Sequence, residues 1–381
     1  MKTVLVTGAS GFIGKNLCSQ LMLTDGIKVL KYTRNNTLKE LAKFVQEADF
    51  IFHLAGVNRP KDEEDFTKDN QILTKHIIEL SRSTNSKAPI LLTSSTQANL
   101  DNPYGKSKLA AEKALLAWSN ESNNSIYIYR LPGVFGKWSK PDYNSVVATF
   151  CYNIAHNLPV QVSDLKKEIT LVYIDDVVDM FIRQLTGSFI PSKDSFYTIP
   201  RTFKMDLGDL KDRIIALRGV RTTLVVPNFE DIFNKFLYAT YISYLSTNNF
   251  SYDLEMHVDN RGWLAEFIKS KQFGQVFIST TKPGISRGDH WHHTKIEKFL
   301  VVEGEAEISF RNKINSRKII RYKVTGDKPT VLDMPTGYVH TIKNTGSTDL
   351  ITIFWANEIL DKNHPDTNYE KVEIVTGGND E

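Results

Sequence analysis

Cysteine is nearly absent: 381 residues hold two, Cys18 and Cys151. That excludes a disulfide framework and fits a reducing cytoplasm. No apolar run approaches the ~18–20 residues that a bilayer span needs. The first residues run straight into a strand pattern, so no signal peptide is expected either, and the expected location is cytoplasmic. Excess charge is small as well, with 47 basic against 44 acidic residues and a net +3. A near-neutral chain of this length implies no nucleic-acid partner and no membrane surface. Internal repeats and low-complexity segments are also missing. What remains, 41% hydrophobic and 24% charged, describes a globular chain long enough for two domains.

The N-terminal part is organised around Val4–Thr7, a short apolar strand pattern, followed by Gly8, Gly11 and Gly14. The first glycine permits a tight strand-to-helix turn, the second a close approach of ligand to backbone, and the third close packing of the following helix. That helix is expected over Phe12–Leu23, so Phe12 and Ile13 sit in its first turn beside a pyrophosphate. Further strand patterns at Lys28–Tyr32, Phe50–Leu54, Ile90–Thr93 and Ile126–Tyr129 alternate with helical ones. This alternation predicts a doubly wound, Rossmann-type parallel α/β sheet domain over residues 1–246. The second strand ends in Thr33-Arg34 rather than an acidic residue, which suits a 2′-phosphate and therefore NADPH. Leu54, Ala55 and Gly56 close the third strand with small groups past which a cofactor can approach. His53 reads as a structural histidine, and Asn70 as part of a helix behind the site.

The fourth strand ends at Ser94-Ser95, and Tyr104 and Lys108 follow four residues apart, on one face of a helix. A nearby ammonium is expected to lower the phenol from its usual ~10 and make Tyr104 an acid–base group. Ser95 can hold a substrate carbonyl beside it. Together with Arg130–Gly136 and Leu171–Asp176, these residues resemble the extended short-chain dehydrogenase/reductase family. The resemblance implies an NAD(P)-binding domain that acts on a nucleotide sugar, with Ser95, Tyr104 and Lys108 as catalytic residues. Gly133 stands where that family usually has Asn. Thr96-Gln97 replaces the acidic pair of the members that eliminate water, so dehydratase activity is not expected.

An aromatic-rich segment, residues 229–252, leads into a second domain at 252–370. There the period changes to short alternating strands, among them Val276–Thr280, Glu305–Phe310 and Leu350–Trp355. With no helix-length pattern between them, they predict an all-β barrel or jelly roll. The histidines concentrate here, in His290-Trp-His292-His293 with Glu297, and again at His340. Residues two apart on a strand share a face, so His290 and His292 point inward together while His293 points away. His290, His292, Glu297 and His340 form a donor set for one divalent metal, zinc being the expected ion. Both segments resemble the two cupin motifs. Asp259–Gly262 and Ser286–Gly288 are also similar to the cupin epimerases that act on 4-keto deoxysugar nucleotides.

A reductase of the extended type joined to a metal cupin, with Asp101–Gly105, Gly136–Trp138 and Tyr143–Ser145 in place, resembles a family of two-domain capsular-polysaccharide enzymes. That resemblance implies a UDP-linked 4-keto-6-deoxy-2-acetamido sugar as substrate. Its C3 would be epimerised by the cupin and its C4 ketone reduced with NADPH. The product would be UDP-N-acetyl-6-deoxy-L-talosamine, a precursor of UDP-N-acetyl-L-fucosamine. A homodimer is the expected assembly. Two other readings stay open: a reductase whose cupin only dimerises or binds sugar, and a redox-sensing regulator without catalysis.

Overall fold

The structure is a computed structural model that describes residues 1–57, 71–189, 192, 194–314 and 318–373; Asn70 lies outside them. The chain forms two compact units, residues 1–215 with 236–246, and residues 216–235 with 247–381.

In the first unit, strands β1 (Lys2–Thr7), β2 (Ile27–Tyr32), β3 (Phe50–His53), β4 (Ile90–Ser95) and β5 (Ile126–Leu131) lie parallel. A three-stranded side sheet holds β6 (Gly133–Phe135), β7 (Glu168–Tyr173) and β9 (Phe203–Asp206), while the short β8 (Phe196–Tyr197) completes the main sheet. The main sheet runs β2-β1-β3-β4-β5-β8. Its order reverses at β1, which opens a crevice at the carboxyl ends of β1 and β3. The strands read as continuous apolar runs because both faces are covered. On one face Leu5, Ile51, Ile90 and Ile128 pack against Leu41 and Val45 of α2 (Leu38–Glu47), Ile77 of α3 (Leu73–Ser83) and Leu115 and Trp118 of α4 (Pro103–Ser122). On the other, Phe52 and Tyr129 meet Phe181, from a helix over Ile174–Thr186, at ring distances of 6.0 and 5.1 Å. Trp118, 1% exposed, is the largest of these wedges, and truncating such a side chain costs about 3–5 kcal/mol.

The first helix, α1, spans Phe12–Leu21 and ends two residues before the sequence pattern suggests. The N–H groups of Leu23 and Thr24 turn back to Gln20 and Leu21 carbonyls, tightening the exit. That leaves Met22 and Leu23 exposed.

The second unit is antiparallel. Its strands are β10 (Met256–Asp259), β11 (Gly262–Ser270), β12 (Gly274–Thr281), β13 (Ser286–Trp291), β14 (Glu297–Glu303), β15 (Glu305–Asn312), β16 (Ile319–Thr325), β17 (Val331–Met334), β18 (Tyr338–Asn344), β19 (Leu350–Ala356) and β20 (Asn368–Tyr369). They form two sheets, β10-β11-β12-β19-β14-β17 and β16-β15-β18-β13-β20. Phe299, Val301, Leu332, Met334 and Phe354 of the first share one core with Ala306, Ile308, Phe310 and Ile342 of the second. Of the barrel or jelly roll expected, the described residues form two antiparallel sheets packed over one core, neither closed into a barrel. The outer strands are β10 and β17 of the first sheet and β16 and β20 of the second. Residues 224–226 join this unit through backbone bonds of 2.8 Å with Lys269, in both directions.

Candidate active site and metal centre

The crevice of the first unit is a cleft of about 860 Å³. Gly8, Gly11, Phe12, Ile13, Gly14, Arg34, Leu54, Ala55, Gly56, Ser95, Tyr104 and Lys108 all line it. It therefore brings together every residue that the sequence assigned to this site. Its floor is made by glycine. Gly8 has φ +67°, and a Cβ there would stand 2.7 Å from the Ala55 nitrogen. A Cβ on Gly14 would stand 2.2 Å from the Gly8 carbonyl oxygen. Only bare backbone fits this turn, and it leaves a cradle of the kind that admits a pyrophosphate. The Thr33 N–H and hydroxyl both donate to Asn36 Oδ1, at 2.8 and 3.0 Å, which folds the loop so that Arg34 stands on the cleft wall.

Behind the cradle, His53 hydrogen-bonds Thr7 at 2.8 Å and Thr74 at 2.9 Å. Burial, with the Lys108 charge adding to it, lowers its pKa to about 3. It is a neutral structural histidine, as its place in the strand suggested.

Asn102 caps α4 by accepting from the Gly105 N–H at 2.8 Å, with Pro103 in the first turn. This fixes Tyr104 at the helix start, where its phenol is hydrogen-bonded to Ser95. Ser95 itself caps the 3₁₀ turn Thr96–Asn99, accepting from the Gln97 N–H at 3.1 Å. Lys108 Nζ donates to the Thr93 carbonyl at 3.1 Å and lies 5.8 Å from the centre of the Tyr104 ring. The expected lowering of the phenol pKa does not occur. Burial dominates, and Tyr104 is pushed up to about 12 despite the Ser95 bond. The same burial lowers Lys108 to about 8, against the pull of Glu112.

Glu112 is a site residue that sequence reasoning missed. Its carboxylate, 1% exposed, accepts from Ser94 and takes two bonds from Arg130, at 3.0 and 2.7 Å. A buried carboxylate held this way anchors the strand end that carries Ser95. Its spacing from Lys108, one helical turn on, was the available signal.

In the second unit the register of β13 on β18 sets His290 directly opposite His340. Gly288 allows it: φ is +106°, and a Cβ would stand 2.8 Å from the His340 carbonyl oxygen. Glu297 enters from β14 in the other sheet, and His292 from just beyond β13. The donor atoms of His290, His292, Glu297 and His340 lie within 4.8 Å of one another, whereas His293 is exposed. Nε2 of His292 and of His340 stand 3.5 and 3.4 Å from Glu297 Oε2. Ligands at 2.0–2.2 Å around a tetrahedral ion are about 3.3–3.6 Å apart, and these two separations are of that size.

Hydrogen bonding tells the same story. Nε2 of His290, His292 and His340 are all buried without a hydrogen-bond partner, an arrangement that costs free energy unless something binds there. His340 Nδ1 donates to the Tyr338 carbonyl at 3.1 Å and His292 Nδ1 to the Asp366 carbonyl. A carbonyl only accepts, so both rings carry the Nδ1 proton, which leaves Nε2 as the ligating atom. Burial, followed by the neighbouring His340, lowers His290 to about 4. Burial alone would raise Glu297, but the charge around it, including the Lys295 ammonium 3.3 Å from Oε1, holds it below the carboxylate range. A neutral ring and an ionised carboxylate are the forms that bind metal.

Among the described residues, no helix is long and apolar enough to cross a membrane. Residues 4–193 match the NAD dependent epimerase/dehydratase family, and residues 257–368 the polysaccharide biosynthesis C-terminal domain. The cleft and its parallel sheet are thus those of a nicotinamide-dependent enzyme class. A UDP-2-acetamido-2,6-beta-L-arabino-hexul-4-ose reductase of Pseudomonas aeruginosa is 43% identical over 96% of this chain and 97% of its own. The capsular polysaccharide assembling protein CapF of Staphylococcus aureus is 46% identical, with a TM-score of 0.90 over 97% of this chain and 99% of that one. A UDP-glucuronic acid 4-epimerase of Bacillus cereus, 19% identical, shares the fold of the first unit, with a TM-score of 0.51 over 57% of this chain and 84% of its own. The chain belongs to the CapF family of capsular-polysaccharide enzymes.

Proposed function

We propose that the chain is a bifunctional nucleotide-sugar enzyme. The second unit inverts C3 of a UDP-4-keto-6-deoxy-2-acetamido sugar, and the first then reduces the C4 ketone to give UDP-N-acetyl-6-deoxy-L-talosamine. One observation carries the reductase half: the Ser95–Tyr104 pair and Lys108 line the same cleft as the glycine cradle. NADPH held there by the glycine cradle and Arg34 would supply the hydride. Tyr104, whose pKa stands at about 12, keeps its proton at neutral pH and can donate it to the oxyanion that forms on C4. Ser95 positions that oxygen. Lys108, at about 8, can carry a proton toward the phenol near neutrality. Arg34, on the cleft wall, supports NADPH over NADH.

The epimerase half rests on carbonyl chemistry and on the donor cluster. A C3 proton is acidic only while C4 is a ketone, so inversion must precede reduction, and reduction then locks the new centre. A dication held by His290, His292, Glu297 and His340 would supply positive charge beside the developing enolate. Four protein donors also favour a second reading. They would close a tetrahedral ion, as in structural zinc sites, leaving the unit a binding module.

The test is the product made from the UDP-4-keto sugar in deuterated water, read by NMR with and without NADPH. Deuterium at C3 without NADPH, and a reduced, C3-inverted product with it, are expected. Reduction with C3 unchanged would favour the second reading. No reduction at all would overturn the proposal.

A further inference from the structure

The metal-type cluster has a support that the reaction scheme does not use. After β19 the chain returns as residues 366–373 and lies along β13, with Tyr369 opposite His290 and Asn368 opposite Trp291. The Asp366 carboxylate accepts from the N–H groups of His293, Thr294 and Lys295 at 2.9, 2.7 and 2.9 Å, and from the Thr294 hydroxyl at 3.0 Å. Its own carbonyl accepts from His292 Nδ1. The other end of the segment is tied by Arg311, 2% exposed. That guanidinium donates to Glu370 at 2.7 Å and to the Lys371 and Val372 carbonyls at 2.8 and 2.9 Å. The Val372 N–H donates to Asp289 at 3.1 Å.

We propose that Asp366 is a positioning residue for the metal centre, a latch that holds the His293–Lys295 turn and, through its carbonyl, the ring of His292. The inference rests on the metal-site reading above. His292 lies past the last residue of β13, so no strand ladder orients its backbone. The turn that follows it has three N–H groups to satisfy, and one carboxylate takes all three. The same residue fixes the ring: with Nδ1–H directed at its carbonyl, Nε2 is turned toward Glu297. Asp366 thus holds the turn after this ligand, and the ligand's ring, from 74 positions away in the chain, while the Gly337 N–H holds the His292 carbonyl at 3.0 Å. Partners of this kind typically change metal affinity by about 10–100-fold.

Zinc affinity, measured on the full chain by competition with a chromophoric chelator, tests the latch. The expected order is unmodified chain tightest, Asp366→Asn weaker, and Asp366→Ala weaker by about 10–100-fold. The melting temperatures of the metal-free proteins separate loss of metal from loss of fold. A second readout needs no variant. Coupling is reciprocal, so zinc should slow amide hydrogen exchange in the 293–295 turn and around 366–370 of the unmodified chain. Equal zinc affinity for Asp366→Ala, or exchange in both segments unmoved by zinc, overturns the latch. Failure of the unmodified chain to bind zinc overturns the metal-site reading itself.

Discussion

The two candidate sites of this chain solve the burial of polar groups in opposite ways. In the N-terminal cleft the named groups are satisfied within the protein: Tyr104 by Ser95, Lys108 by the Thr93 carbonyl, His53 by two threonines. In the C-terminal unit three imidazole nitrogens converge beside one carboxylate and find no hydrogen-bond partner. The first site is preorganised before its ligands arrive, so removing one of its groups should impair chemistry more than fold. If the second holds a cation, as proposed, removing that ion should impair the fold of the unit first. Satisfied and orphaned polar atoms are what distinguish the two sites, and the proposed resident cation accounts for the second.

The largest expected effect breaks the first half of this comparison. Tyr104→Phe removes the proton donor and should lower NADPH oxidation by about 10²–10⁴-fold, with the melting curve unchanged. Undiminished oxidation would remove Tyr104 from the mechanism. The second half breaks at the metal. At a thousandfold excess over Kd, a ligand stabilises by about 4 kcal/mol. Chelation, or His340→Ala, should therefore lower the melting transition of the C-terminal unit by on the order of ten degrees. A transition indifferent to chelator would show that the orphaned nitrogens hold nothing.

Arg34→Asp is a smaller change. It exchanges a cation for a carboxylate facing the ribose and should narrow or reverse the preference for NADPH, read as the ratio of kcat/KM values for the two cofactors. Equal values in the unmodified chain would remove Arg34 from cofactor selection. At neutral pH the effect of His53 on stability is the smallest, because it appears only as the pH falls. The folded-state pKa of His53 is about 3, below the usual ~6.5 of an unfolded histidine. The unfolded chain therefore binds the proton first, and stability falls as pH drops from about 6.5 toward 3, by at most about 1.4 kcal/mol per pH unit. His53→Gln should flatten that part of the stability–pH curve, and an unchanged slope would assign it elsewhere.

The sequence made the N-terminal site legible because its signals are local. A glycine turn must follow its strand, and Tyr104 and Lys108 share a helix, so contact could be read from spacing. Thr33-Arg34 could be placed at a strand end for the same reason. Burial was not legible: the effect of the ammonium on the phenol is Coulombic and readable from neighbours. The desolvation that overrides it depends on how much protein surrounds Tyr104. In the second unit the four donors were legible from motif spacing, and the alternation of His290, His292 and His293 matched their burial. Whether the strands would close into a barrel or pack as two sheets was not, because turn patterns locate strands but not which of them pair. Asp366 and Glu112 escaped notice for different reasons. Glu112 sits at ordinary helical spacing, where a carboxylate usually faces solvent. Asp366 reaches His292 from the far end of the unit, and no local pattern announces it.

The central claim is that C3 is inverted in one unit before C4 is reduced in the other. Deuterium incorporation at C3 of the UDP-4-keto sugar by the Tyr104→Phe chain, in deuterated water without NADPH, tests it most directly. The account predicts C3 deuteration at the rate of the unmodified chain with no reduction on adding NADPH. Absence of deuterium at C3 in both proteins, with the unmodified chain still reducing the ketone, would contradict it.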